Sequence, residues 1–153
     1  MIRIQKETPD QPDVVELLAQ ADARSASLYP LESRYGLDLA GLLSQNVRFY
    51  VARIGDRAVG CGGYAVSADR SAELKRIFVL PETRGKGIGK TIVTPLEQAA
   101  AAEQVCVIQL ETGVKSDEAI RLYRHLGYVE RGPFGCYGPD PLSVFMEKAL
   151  ATN

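Results

Sequence analysis

Tryptophan is absent from the 153-residue chain, and histidine occurs once, at His125. A site built on several histidines is therefore excluded. Cysteine is scarce too: Cys61, Cys106 and Cys136 stand far apart, with no Cys-x-x-Cys pair or cysteine–histidine cluster of the kind that holds zinc. No metal is expected. The odd thiol count, with two cysteines inside strand-like runs, points to buried free thiols in a reducing cytoplasm. No apolar run is as long as a membrane span, and the opening MIRIQKETPD has no apolar signal core, so a membrane partner is not expected. Nor is the chain basic. Its 18 Lys and Arg against 19 Asp and Glu leave a net charge of −1, without the electrostatic footprint of a nonspecific nucleic-acid binder.

What is present is ordinary for a folded domain: 46% hydrophobic and 24% charged residues. A chain of this length is expected to form one domain over residues 1–153 and to bury about 70% of its unfolded surface. MIRIQKE alternates as a strand up to Pro9, and residues 10–29 show helical spacing, with Pro12 near the start and Pro30 as the stop. A short helix is predicted around residues 37–44. Apolar runs on either side of Gly55-Asp56-Arg57 predict a hairpin, and AELKRIFVL follows as a strand closed by Pro81. Residues 86–103 read as a helix bent by Pro95. QVCVIQLET reads as a strand buried on both faces, and SDEAIRLYRHL as a helix capped by Ser116 and ended by Gly127. YVERG and LSVFMEKAL are the last strands. The order predicts an α+β (α/β) fold, a central mixed and mostly antiparallel sheet of seven strands with four helices.

The stretch LPETRGKGIGKT is the clearest chemical signal. It is not a nucleotide-triphosphate P-loop, because that spacing needs glycine where Arg84 stands. It is not a dinucleotide fingerprint either, because the third glycine would fall at Lys90. A strand, a turn and a helix opening among Gly85, Gly87 and Gly89 still make an anion site: helix-start amides lack internal partners and carry the positive end of the dipole. Arg84, Lys86 and Lys90 add cationic side chains, and a diphosphate suits the arrangement. Glycine is expected to serve both close approach and positive φ there.

Arg84-Gly85-Lys86-Gly87-Ile88-Gly89 resembles the R/Q-x-x-G-x-G/A motif of the GNAT superfamily of acetyl-CoA-dependent N-acetyltransferases, and AIRLYRHLGYVERG is similar to a later helix and strand of that family. The order of elements matches from residue 1 to about residue 150. The resemblance implies acetyl-CoA as acyl donor. Its pyrophosphate would lie on the loop, including Ile88, and its pantetheine along the backbone of Ile77, Phe78 and Val79, whose amides would also stabilise an oxyanion. Ser116 stands where the family often has asparagine, so an amide contact to the pantetheine is not carried over.

Tyr123 matches the family tyrosine that protonates the leaving thiolate. Glu73 and Glu111, at strand ends near the inter-strand gap, are candidates for the base, with Glu73 preferred. By resemblance the acceptor would meet Tyr29, Glu32, Arg34 and Tyr35 on one side and Phe134, Tyr137 and Asp140 on the other. Glu32 would attract an amine and Arg34 hold a carboxylate. His125 is read as a surface residue and Cys136 as a plain loop thiol. The implied function is acetyl transfer to a primary amine of a small polar or amino acid-like acceptor, in a protein that is a homodimer by family habit. Acetylation of a protein lysine or N-terminus, and an acyl-CoA sensor without turnover, are the alternatives.

Overall fold

In the computed structural model, which describes residues 1–44, 46–83, 85 and 87–150, the chain opens with β1 (Ile2–Lys6) and α1 (Pro12–Leu28). Pro12 pre-sets φ at the start of α1, where its missing N–H costs nothing, and the helix buries Val14, Leu17 and Leu18 before Pro30 ends the run. A single 3-10 turn over Leu31–Ser33 follows. The predicted second helix shrinks to α2 (Leu39–Leu42), because Asp38 caps it by accepting from the Gly41 amide.

β2 (Val47–Ile54) and β3 (Arg57–Val66) form the hairpin. Its turn is the two residues Gly55 and Asp56, with Ile54 paired to Arg57 and Gly55 at φ +61. β4 (Ser71–Val79), a 3-10 turn over Pro81–Thr83 and α3 (Ile88–Ala102) come next, and Pro95 lies inside α3 without ending it. β5 (Val107–Gly113), α4 (Asp117–His125), β6 (Val129–Arg131) and β7 (Ser143–Ala149) complete the chain, with Gly127 in the left-handed region just after α4.

The strands form one sheet in the order β1-β2-β3-β4-β5-β7-β6, antiparallel except for β4 with β5. This is the predicted fold class. Parallel neighbours need a crossover, and α3 supplies it. Ile92, Val93 and Leu96 of α3 join Val59, Ile108, Leu110 and Met146 of the sheet in the core, none more than 1% exposed.

Two expectations about burial are corrected. β5 alternates, with Ile108 and Leu110 buried and Val107, Gln109 and Glu111 half-buried, because one of its faces borders a cleft instead of the core. The three thiols are unpaired, but only Cys61 is buried; Cys106 is half-buried just before β5 and Cys136 lies exposed in a loop.

Glycines on β3 let α3 lie directly on the sheet. A Cβ on Gly60 would stand 2.8 Å from Ile92 Cδ1 and 2.9 Å from the Phe78 carbonyl oxygen. The oxygen belongs to the paired strand and has nowhere to go. Gly60→Ala is expected to cost about 1 to 3 kcal/mol in urea unfolding. Gly138→Ala, where a Cβ meets nothing within 4 Å, should change stability by less than about 0.5 kcal/mol. Equal midpoints for the two variants would refute the close-approach account.

Candidate active site

The parallel ladder between β4 and β5 covers three residue pairs only, Ser71↔Val107, Ala72↔Ile108 and Glu73↔Gln109. Beyond them no further pairing of these strands exists among the described residues, and a cleft opens between Leu74 to Val79 and Leu110 to Gly113. A bulge in β4 coincides with the separation. Cys61 pairs with Phe78 and Gly63 with Lys75, so two residues of β4, Arg76 and Ile77, oppose Gly62 alone. Arg76 takes φ +57, a conformation that costs a non-glycine residue about 1 kcal/mol or more. It is held there from both sides. Its guanidinium donates to Asp22 (2.6 Å) and to the Leu18 carbonyl (3.1 Å) on α1, while its own carbonyl accepts from the Cys61 thiol (3.4 Å). Burial pushes the Cys61 pKa up to about 12, which keeps the thiol protonated as that donor.

Above the cleft, Gly85 (φ +82) and Gly87 (φ +73) take backbone conformations that favour glycine, and a Cβ at either would meet nothing within 4 Å. Among the described residues no side chain caps α3, and the Thr91 amide, bonded to the Gly87 carbonyl at 3.0 Å, lies a full turn inside the helix. Gly89 serves a different purpose from the one expected. It is already helical, without positive φ, and a Cβ there would stand 2.9 Å from Leu122 Cδ2, so it lets α4 pack against α3. Arg84 and Lys86 lie outside the described residues. Lys90 is exposed and lines the cavity, and Ile88 is buried under the loop.

One cavity of about 640 Å³ connects these parts. It reaches from Gly85, Gly87 and Lys90 along Ile77, Phe78 and Val79 to the segment Ser33 to Gly36, with Ser116 and Tyr123 of α4 also on its wall. Tyr123 is 5% exposed, and its hydroxyl has no hydrogen-bond partner among the described residues. Its ring meets Tyr128 edge-on at 5.5 Å. Desolvation raises its pKa well above the ordinary phenol value, so the group keeps its proton at any working pH. Tyr128 differs, because its hydroxyl donates to Glu97. Ser116 does not cap α4 as expected. Its hydroxyl meets the Tyr29 hydroxyl at 2.9 Å, and that same oxygen accepts from the Lys115 amide at 3.0 Å. Tyr29 is a brace between the end of α1 and the β5–α4 connection, seated where Gly113 has no side chain.

The two glutamates have separate environments. Glu73 is ion-paired with Lys75 (2.8 Å), accepts from the Tyr137 hydroxyl, and does not line the cavity. Glu111 lines it, half-buried, with Ser143 donating to its carboxylate at 2.8 Å. Its pKa is raised, first by desolvation and further by the charges of Glu73 and Asp140, against the Ser143 bond and Lys75. Of the two carboxylates, Glu111 and not Glu73 lines the cavity.

Among the expected acceptor residues, Tyr29, Arg34 and Tyr35 line the cavity, while Glu32 is exposed and outside it. Phe134 and Tyr137 do not reach the cavity wall; they stack edge-on with Phe145 behind it, at centroid distances of 5.1 to 5.8 Å. Asp140 accepts from Tyr35 (2.6 Å) and Ser33 (2.8 Å), tying the two segments together. His125 is exposed. Arg76, which also lines the cavity, was not foreseen, because strand alternation gives no sign of a bulge.

Residues 12–128 match the model of the Acetyltransferase (GNAT) family. The IAA acetyltransferase of Azospirillum brasilense is 45% identical over 150 residues, 97% of this chain and 98% of its own. A solved chain from Klebsiella pneumoniae, named as an acyl-CoA N-acyltransferase, superposes with a TM-score of 0.85 at 34% identity, covering 99% of each chain. The PaiA N-acetyltransferase of Thermoplasma acidophilum, solved with coenzyme A, shares the fold, with a TM-score of 0.79 at 22% identity and coverage of 97% of this chain and 99% of its own.

A raised carboxyl pKa has a consequence for stability. The folded state favours protonated Glu111, so its stabilising contribution is complete below the ordinary carboxylate value of 4.5 and is lost as pH rises through the raised value. At pH 8 the charged form is a liability. Glu111→Gln, which still accepts from Ser143, is expected to raise Tm by about 2 °C at pH 8 and by less toward pH 4. Thermal melts showing a gain independent of pH would contradict this.

Proposed function

The chain belongs to the GNAT family of acetyltransferases, and on that footing we propose that it moves the acetyl group of acetyl-CoA to the primary amine of a small polar or amino acid-like acceptor, by direct attack in a ternary complex. The observation that carries this reading is the cavity joining a glycine-lined helix start, without a side-chain cap among the described residues, to Tyr123, a buried residue whose hydroxyl has no partner among the described residues, and to the half-buried Glu111. The residues present suit the donor. Open amides at the start of α3, the open Gly85 and Gly87, and Lys90 would take its diphosphate, and the Ile77 to Val79 edge of β4 would align its pantetheine arm beside Ser116.

Glu111 takes the proton from the acceptor ammonium, and the freed amine attacks the thioester carbonyl. Backbone amides of β4 that line the cavity would stabilise the charge that develops on the carbonyl oxygen. As the carbon–sulfur bond breaks, Tyr123 gives its proton to the sulfur, so the net proton passes from ammonium to thiol. Glu73 supports the site indirectly, by fixing Tyr137 behind the acceptor wall.

A small acceptor is favoured over a peptide because the Asp140 bonds to Tyr35 and Ser33 tie together the two segments that would flank an open groove. The name of the Azospirillum relative also suits a small-molecule acceptor. A cytoplasmic location agrees with three unpaired thiols and with the lack, among the described residues, of any helix long and apolar enough to cross a membrane. A homodimer rests on the family habit alone.

A thiol-release assay with acetyl-CoA against amines, amino acids and peptides tests the reading. Turnover with small amines supports it; turnover with peptides alone selects protein acetylation. Binding of acetyl-CoA without turnover selects a sensor. Tyr123→Phe should lower kcat about 100-fold with the KM for acetyl-CoA within about threefold. An unchanged kcat would remove Tyr123 as the acid.

A further inference from the structure

The acceptor end of the cavity carries more positive charge than an amine needs. Arg34 and Arg76 both line it, on segments that lie side by side: Gly36, two residues after Arg34, approaches Arg76 so closely that a Cβ would stand 2.6 Å from Nη1. The Nε groups of both arginines are buried without a hydrogen-bond partner among the described residues. Arg76 is explained in part, since its Nη atoms serve Asp22 and Leu18. Arg34 is not. Its side chain forms no ion pair or hydrogen bond among the described residues, although it is half-buried. The nearby acids are committed elsewhere, Asp22 to Arg76 and Asp140 to two hydroxyls, and Glu32 points outside the cavity wall. The Nε groups are closed off, and it is the Arg34 Nη groups, also without an acceptor among the described residues, that remain open to a ligand.

We infer that Arg34, backed by Arg76, is a specificity-determining carboxylate subsite, and that the acceptor is a free α-amino acid. The inference rests on the proposed acetyl transfer and narrows its substrate. A guanidinium presents parallel donors that match a carboxylate. The Glu111 carboxylate in the same cavity disfavours a doubly charged anion and suits a zwitterion, which offers its ammonium to Glu111 and its carboxylate to the arginines. The donor's diphosphate does not compete for this place. Arg76 lies three residues down β4 from Val79, about 10 Å of strand away from the loop end.

The test compares the twenty standard amino acids with the matching carboxamides of those accepted, in wild type and in Arg34→Gln. The variant should raise the KM of the amino acid about tenfold, with kcat within about threefold, and leave the KM of its carboxamide unchanged. Arg34→Lys should recover part of the loss, keeping charge without the fork. Comparing each variant with wild type on one substrate cancels the difference in amine basicity. Equal effects on acid and amide, or wild-type turnover confined to amines lacking a carboxylate, would overturn the subsite and leave the acetyltransferase reading standing. Failure of every amine with acetyl-CoA still bound would remove both.

Discussion

The whole site depends on a parallel strand pairing that stops after three residue pairs. Strands normally continue a ladder once begun, because each unpaired amide and carbonyl is costly when buried. Here β4 and β5 part company beyond Glu73 and Gln109, beside the bulge that Arg76 makes in β4. The bulge is held by α1 and by the neighbouring strand, through bonds from the Arg76 guanidinium and from the Cys61 thiol. A strained backbone conformation persists only where surrounding contacts over-determine it. The same side chain that pins the bulge also lines the cavity beside it, so strain and site meet at one residue.

Around that cleft, two titratable groups are shifted in the same direction by their environment. Tyr123 and Glu111 are both pushed toward their protonated forms by desolvation, but their ordinary values lie far apart. Near neutral pH the phenol holds its proton firmly, while the carboxyl sits closer to its own titration range than an exposed glutamate would. Glu73, a few residues away along the adjacent strand, is instead absorbed into packing by Lys75 and Tyr137.

The three alternate glycines divide the labour differently from the way their spacing suggests. Gly85 and Gly87 are required by positive φ and leave an open surface, whereas Gly89 is required by the approach of Leu122 from α4. One motif thus sets both the turn into α3 and the docking of the helix that carries Tyr123. Ser116 shows the same economy in another place: its hydroxyl goes to Tyr29 and fastens the β5–α4 connection to the end of α1, leaving α4 without a side-chain cap.

The order of strands and helices, the glycine loop between β4 and α3 and the family were legible along the chain, because each is written in local periodicity, in turn residues or in a contiguous motif. Burial on only one face of β5, the choice of Glu111 over Glu73 for the cavity, the place of Arg76 and the partner of Ser116 were decided by the tertiary structure. The reason is register. Which way a strand residue faces is reset by a single inserted residue, and whether a hydroxyl caps its own helix or meets a tyrosine 87 positions away depends on how distant elements pack.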